Sequence, residues 1–345
     1  MKMKKLLSIT LVMALVLFSG LTSTYAGDLD RAGTAAGVQT LVPVGARYLA
    51  MGGANIATVT GVDGIFWNPS ALASIKTAEA VLSTMTIFND IKVNYLALGF
   101  NAGRLGTIAF TLKAFDFGDI PYTTTQDPDG ASGRTFSPTF VTGSIVYAMR
   151  MTDRIHVGVT GKLIYESVDR ASANAFAFDA GIQYHDLGGL KGVSFGVTVK
   201  NIGTNLKYGG SAFYKQASVP GSDRTDFFKV DPQVHELPAL IELGLSYQRE
   251  IAENSVLSLA GKFQNNNFGA DFYRFGAEYN YNNFVMLRAG YLMEQGVPSE
   301  DQLYRFTAGL GLNFSLGQTN LTLDYTYRDS QYFSGNNLFS LKIGF

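Results

Sequence analysis

Leu321-Thr322-Leu323-Asp324-Tyr325-Thr326-Tyr327-Arg328 decides the fold. Its odd positions are aliphatic or aromatic and its even positions polar, a period of two that belongs to a strand with one greasy and one wet face. Val193, Phe195, Val197 and Val199 repeat the alternation against Ser194, Gly196, Thr198 and Lys200. A soluble sandwich alternates as well, but its polar face is the outside and carries Lys and Glu freely. Here the polar phase is mostly Gly, Ser, Thr and Asn with sparse charge, which fits a lumen rather than open solvent.

Working outward, segments of this kind fall near 79–88, 91–101, 104–115, 136–151, 154–166, 173–185, 192–203, 237–250, 254–265, 271–281, 284–293, 303–313, 319–328 and 338–345. About fourteen strands, an even number, is what a single-chain bacterial barrel requires. The connections give an independent test. If the first strand climbs outward, the inner turns are Asn101 to Gly103, Thr152-Asp153, Asp186 to Lys191, Ile251 to Glu253, Asn282-Asn283 and Ser315 to Gln318. The outer set then holds Asp116 to Thr135, Ser167 to Ser172, Thr204 to Glu236, Glu294 to Gln302 and Asp329 to Asn337, mostly long and rich in Gly, Pro and Asp. Short inner turns and long outer loops are the barrel pattern, with the tight outer turn at Asn89-Asp90 as an exception.

Composition agrees. There are 18 Tyr, 25 Phe and 38 Gly with 16% charged residues, against about 25% in a soluble domain. Past residue 26 no apolar run is long enough for a spanning helix, so a spanning structure must be a closed barrel. Aromatics gather at strand ends, as at Tyr279, Tyr281, Phe284, Tyr304, Phe306, Tyr325 and Tyr327, where amphipathic rings match a membrane interface. Cys is absent, which excludes disulfide staples and thiolate metal sites.

The start MKMKK, the apolar stretch Leu6 to Phe18 and the small residues Thr24 and Ala26 read as a secretory signal peptide over 1–26, cut after Ala26. The alternative, a retained anchor helix, needs about 20 apolar residues. Losing Lys2, Lys4 and Lys5 leaves 24 of the 27 basic residues against 28 acidic ones, with no basic patch for nucleic acid. The address implied is the outer membrane of a Gram-negative-type envelope, in contact with its lipid.

Residues 27–78 break the strand pattern. Pro43, Gly45, Gly52, Gly53, Gly61 and Gly64 interrupt any long element. A lumen of about fourteen strands is too wide for its own side chains to fill. The expected place for this segment is therefore inside, as a plug or hatch, with the barrel over 79–345. Asn68-Pro69 reads as a turn that begins a short helix with Pro69 at its first position. Trp67, the only Trp, anchors this segment against the wall or contacts a ligand; packing is the commoner use of a buried ring.

Val44-Gly45-Ala46-Arg47-Tyr48-Leu49-Ala50-Met51-Gly52-Gly53-Ala54, followed by Gly64-Ile65-Phe66-Trp67-Asn68-Pro69-Ser70-Ala71-Leu72, resembles the opening signature of the PorV/PorQ family. That family is similar in turn to FadL-type fatty-acid channels, fourteen-stranded barrels with an N-terminal hatch. The signature covers about thirty residues; Ser70 stands where Ala is usual, and the acidic pair before the aromatic is reduced to Asp63. The closing strand Phe339-Ser340-Leu341-Lys342-Ile343-Gly344-Phe345, ending on an aromatic, resembles the signal read by barrel-assembly machinery.

Catalytic chemistry is thin. His156, His185 and His235 show no pair at ligand or triad spacing in the sequence, and a nucleophile needs its base and orienting group assembled with it. Neither Gly309-Leu310-Gly311 nor Gly52-Gly53 leads into the Lys-Ser/Thr of a phosphate loop, so no cofactor is expected. Arg274, Glu278, Arg288, Arg305, Asp324 and Arg328 fall on the polar phase of the last strands, and Lys162, Glu166, Asp179, Lys200, Glu242 and Lys262 on that of earlier ones. They pair with one another and with the plug, or they guide a substrate head group; enclosed charges are normally paired.

Two functions follow from the resemblance. PorV-like proteins act with the type IX secretion system, binding C-terminal signals of secreted cargo and passing them to an attachment complex. FadL-like proteins take up a hydrophobic solute. The outer segment Thr204 to Glu236, with Phe213, Tyr214, Phe227 and Phe228, could serve either a partner or a lipid tail.

Overall fold

The computed structural model describes residues 27, 29–88, 90–218 and 224–345, so the export signal expected at 1–26 lies outside the described residues. Among the described residues, fourteen strands form one closed antiparallel sheet. They are β1 (Ala78–Ile87), β2 (Ile91–Asn101), β3 (Thr107–Asp116), β6 (Thr139–Arg150), β7 (Ile155–Val168), β8 (Ala171–Tyr184) and β9 (Val193–Gly203), then β14 (Leu240–Ala252), β15 (Ser255–Asn266), β16 (Phe272–Tyr281), β17 (Val285–Glu294), β18 (Phe306–Leu316), β19 (Thr319–Arg328) and β20 (Asn336–Gly344). Three small ribbons lie in the connections: β4 (Ile120–Pro121) with β5 (Thr135–Phe136), β10 (Leu206–Lys207) with β13 (Val234–His235), and β11 (Tyr214–Ser218) with β12 (Thr225–Lys229).

Each barrel strand pairs with the next in sequence, and β1 closes the ring on β20 with Glu79 opposite Gly344 and Thr86 opposite Asn337. Closure leaves no edge, so the ladders satisfy the wall's backbone groups without water. In β8 the period-two expectation holds residue by residue. Ala173, Ala175, Ala177, Asp179, Gly181 and Gln183 are buried, while Phe176 and Phe178 between them are 57% and 63% exposed. The outward face is thus a band of large apolar side chains and the inward face is small or polar, the arrangement a lipid-facing barrel needs.

The two ends differ as expected. At one end the hairpins are tight. Asn282 and Asn283 sit at φ 55° and 51°, and Phe284 N–H donates to Tyr281 O at 3.0 Å. Positive φ at both central residues gives the turn whose twist matches the flanking strands, and Asn tolerates it. The other end carries the long connections and all three ribbons. One expected loop is shorter than read: β7 runs to Val168 and β8 starts at Ala171, so most of Ser167 to Ser172 is strand, and Ser172 pairs onward with Gly209. The sequence there lacks apolar alternation because the hairpin has left the apolar band.

The segment before β1 packs against the inward face. Its short helical turn Pro69–Ser74 contacts β3, β6, β7 and β8; Ala46–Leu49 contacts β18, β19 and β20; Val62–Gly64 contacts β1 and β2. These strands lie on different sides of the ring. The largest apolar cluster is shared between segment and wall, joining Leu49, Ile56, Trp67 and Leu72 to Val81, Met85, Val93 and Tyr95. The segment enters at the long-loop end, where Ala36 N–H donates to Glu236 O at 3.1 Å. It leaves at the short-turn end, where Asn101 Nδ2 donates to Ile75 O at 2.9 Å.

The wall meets this segment backbone to backbone. A Cβ built on Gly290 of β17 would lie 2.1 Å from Gly52 N, whereas one on Gly143 of β6 would meet nothing within 4 Å. Gly290→Val should therefore destabilise the folded barrel by about 3 kcal/mol, lowering its urea midpoint, or fail to fold, in the manner of overpacked cores. Gly143→Ala should stay within about 0.5 kcal/mol of the parent, as substitutions away from such contacts do. Heat-modifiable gel migration across a urea series reads both; equal midpoints for the two variants would contradict the close packing.

Candidate functional site in the barrel lumen

The segment's glycines and polar residues explain one another. Gly53, at φ 68°, faces Trp67 so closely that a Cβ there would lie 2.3 Å from the indole ring. Gly45, at φ 84°, sits against Asp63 O and the indole nitrogen. Trp67 is 3% exposed, with Phe66 edge-on at 5.1 Å. The signature glycines make its slot, it belongs to the apolar cluster shared with the wall, and the Lys262 ammonium of the wall lies 5.6 Å from the ring. Gly52, at φ 67°, brings the chain to the backbone of β16 and β17.

Asn68 and Pro69 take the places the sequence suggests. Asn68 is extended at φ −153° and caps the turn Pro69–Ser74, its Oδ1 accepting from Ser70 N–H at 3.1 Å and from Ser70 Oγ at 2.7 Å. Its Nδ2 donates to Ile56 O at 2.9 Å and to Ile182 O of β8 at 3.2 Å. A fully buried amide with both donors and its acceptor engaged joins two parts of the segment to the wall at no desolvation loss.

Three hydroxyls on the inward phase do the same for the helical turn at Ala46. Ser340 Oγ accepts from Ala46 N–H at 2.9 Å, Thr326 Oγ1 donates to Ala46 O at 2.6 Å, and Thr307 Oγ1 donates to Ala50 O at 2.9 Å. Single Ser and Thr residues carry no sequence signal for this beyond their phase.

Charges complete the attachment. Arg47 reaches Glu278 of β16 with both Nε and Nη2, at 3.3 and 3.2 Å. Arg288 of β17 holds the same carboxylate at 2.6 Å and Asp324 of β19 at 2.6 Å. Two cations and two carboxylates thus form a balanced chain from segment to wall. Lys342 of β20 meets Asp63 at 3.0 Å, and Glu79 of β1 accepts from Val62 N–H at 3.1 Å.

The remaining inward charges line a cavity of about 440 Å³ toward the long-loop end. Its walls include Phe66, Trp67, Phe272 and Tyr304, with Lys162, Lys200, Lys262, Arg274 and Arg328 beside Glu242 and Glu294. Lys113, absent from the sequence-derived set, is buried nearby and donates to Val42 O at 3.0 Å. Arg305, expected on the polar phase of a strand, precedes β18 and is half-buried beside the Phe306 ring at 5.9 Å. It joins neither group, because the strand starts three residues later than its alternation suggests.

The histidines differ from the reading of the sequence. Pairing of β7 with β8 sets His156 opposite Gln183 and brings the His156 and His185 rings to 4.9 Å between centroids. Twenty-nine residues separate them along the chain, so only the strand register brings them together. Phe345 follows the last strand, its N–H donating to Ala78 O at 3.0 Å and its side chain 61% exposed on the outward phase with Phe339 and Leu341.

Closed antiparallel wall, outward apolar band, small inward residues and an N-terminal segment packed on the inner face define an outer-membrane-type β-barrel. Residues 26–221 match the profile of "Type IX secretion system protein PorV", and the chain belongs to the PorV family. No curated protein sequence matches it. Among solved structures it is similar to the toluene transporter TodX of Pseudomonas putida, with 13% identity, TM-score 0.51, and 85% of this chain and 96% of that one covered. It is similar also to the toluene transporter TbuX of Ralstonia pickettii, with 14% identity, TM-score 0.52 and coverage of 87% and 98%. At such identities the likeness is one of fold.

Arg288 is the hinge of the balanced chain. Arg288→Met should destabilise the barrel by about 3–5 kcal/mol, since Glu278 and Asp324 would stay buried with Arg47 alone. Adding Asp324→Asn, which leaves Arg47 paired with Glu278, should restore most of the loss. Urea midpoints of the parent and the two variants in lipid decide it, and no recovery in the double variant would mean that Arg288 acts by packing.

Proposed function

We propose that this barrel is a non-enzymatic outer-membrane component of type IX secretion that handles secreted cargo at the outer surface. The observation that carries the reading is the β11–β12 ribbon. Every described residue of both strands is exposed, with Tyr214, Phe227 and Phe228 at 51%, 66% and 47%. Large exposed aromatics at the loop end, outside the apolar band, mark an interaction surface. A two-stranded ribbon with both edges unpaired among the described residues also offers backbone groups to an added strand, which suits a cargo domain made of β-strands. In this reading residues 27–78 act as the plug, so that work is done on the rim while the lumen stays closed. Residues 1–26 export the chain, and the outward-facing last strand ending on Phe345 is read by barrel-assembly machinery.

A FadL-like channel for a hydrophobic solute is the second reading, favoured by the aromatic-lined cavity of about 440 Å³. Proteins of similar fold include toluene transporters.

Affinity purification of the barrel from its native membrane should recover proteins that share a C-terminal β-domain. Replacing residues 211–232 by a short Gly-Ser linker should lose them. That replacement keeps Leu206 and Leu237, which are buried and hold the loop base on the wall. Bound hydrocarbon or fatty acid with no such partners would sink the cargo reading, as would absence of type IX genes from the source genome.

A further inference from the structure

Gly27 N–H donates to Asp271 Oδ2 at 3.0 Å, a contact between residues 244 apart in sequence. Asp271 is 3% exposed and closes the β15–β16 connection, just before Phe272. Its Oδ1 accepts from Asn265 Nδ2 at 2.9 Å and from Asn266 N–H at 3.1 Å, and its carbonyl accepts from Gln295 N–H at 2.8 Å. The carboxylate is thus held in place by its own turn and by the neighbouring loop, with Oδ2 directed at Gly27.

The space around Gly27 admits no side chain. A Cβ built there would lie 2.4 Å from Gly269 O, 2.9 Å from Asp271 Oδ1 and 3.1 Å from Asn266 O, so a larger residue would push into the backbone of the turn. The chain beyond stays on the same rim. Arg31 lies over the Phe268 ring at 4.0 Å and pairs with Glu236 at 3.1 Å, and Ala36 N–H donates to Glu236 O.

The sequence puts the end of the export leader at the bond before this residue, since the small residues Thr24 and Ala26 set a cut after Ala26. One observation concerns the residue types before the bond and the other the packing after it; both select the same position. The cut is a hydrolysis. Water adds across the Ala26–Gly27 amide, its oxygen going to the Ala26 carbonyl carbon, which departs as a carboxylate, and the Gly27 nitrogen is freed as an α-amine that is mostly protonated at neutral pH.

We infer that leader cleavage makes a ligand for the barrel's own rim: the α-ammonium of Gly27 binds the Asp271 carboxylate and latches the leading end of the plug to the β15–β16 connection. The inference rests on the reading of residues 1–26 as an export leader. An amide N–H at this point is a single neutral donor. The ammonium brings three donors and a full charge, and charge-assisted bonds are about twice as strong as neutral ones. The connection lies at the long-loop end, which faces outward, whereas a leader held by the inner membrane lies on the opposite side of the barrel. Only the cut chain fills the seat.

The test uses the whole barrel, exported with its own leader and purified from the outer membrane. Mass spectrometry of the N-terminal peptide should give Gly27 as the first residue, with a free amine. A different first residue or a retained leader overturns the leader reading and the latch with it. With Gly27 first, an acetylating succinimidyl ester at pH 7, which attacks only neutral and accessible amines, should label Gly27 at least about tenfold more slowly in the folded barrel than in the urea-unfolded chain, as one unit of pKa alone would give. Asp271→Asn should remove most of that protection. Asn265→Ala, which loosens the same turn but keeps the carboxylate, should keep it. Equal labelling of folded and unfolded chain, full protection in Asp271→Asn, or equal loss in both variants overturns the latch alone. If Asp271→Asn does not assemble, a chain refolded with Ala26 as its first residue decides: its displaced amine should label several-fold faster than that of Gly27, and equal protection overturns the latch.

Discussion

Everything in this molecule depends on the pairing of β1 with β20. A sheet in lipid cannot leave an edge, because an unpaired amide there costs several kcal/mol and no water can reach it. Eight residue pairs from Glu79–Gly344 to Thr86–Asn337 turn a meander into a ring. Closure dictates the period of two, with side chains outward for lipid and inward for the lumen. It also creates a problem, since fourteen strands enclose more space than inward-facing side chains fill.

The N-terminal segment meets that problem by close approach. Where Gly290 faces Gly52, and where Gly158 faces Pro69 and Ser70 with no room for a Cβ, backbone lies on backbone. Such contact leaves amides and carbonyls of the segment without helical or sheet partners, and they must be satisfied singly. Ser340, Thr326 and Thr307 of the wall do so, and Asn68 of the segment donates to a wall carbonyl in return, which gives the Ser and Thr of the wall's polar phase a structural use. Inward polarity here is mostly the complement of an irregular backbone and only partly a lining for water.

That economy explains what could be read in advance. Alternation reports the face of a strand directly, so the strand expected at 319–328 matches Thr319–Arg328, and Val193 to Lys200 divides between the faces as read. Boundaries fail where the chain leaves the apolar band: β7 and β8 outrun their alternation, and β18 begins late, carrying Arg305 off the strand. The signature around Gly45 to Gly53 and Trp67 to Pro69 was legible as a unit, but its logic was not. That Gly53 exists to seat Trp67 is a contact between residues fourteen apart, and nothing local announces it. The ribbons within Thr204 to Glu236 and the His156–His185 contact depend likewise on register between distant segments.

Pairing of charge follows the same geometry. Glu278, Arg288 and Asp324 stand on β16, β17 and β19, and Arg47 reaches them because the turn at Gly45 places its helical turn against that side. Where the segment fills the lumen it brings partners, and the wall's charges are neutralised. Toward the loops the segment thins to Thr40–Pro43 along one side of the cavity and contributes no carboxylate to it. Lys162, Lys200 and Lys262 there pair with Asp179 and Glu242 of the wall itself, while Arg274 and Arg328 meet a carbonyl and an amide. Beyond the part of the lumen that the segment fills, the wall therefore supplies its own carboxylates.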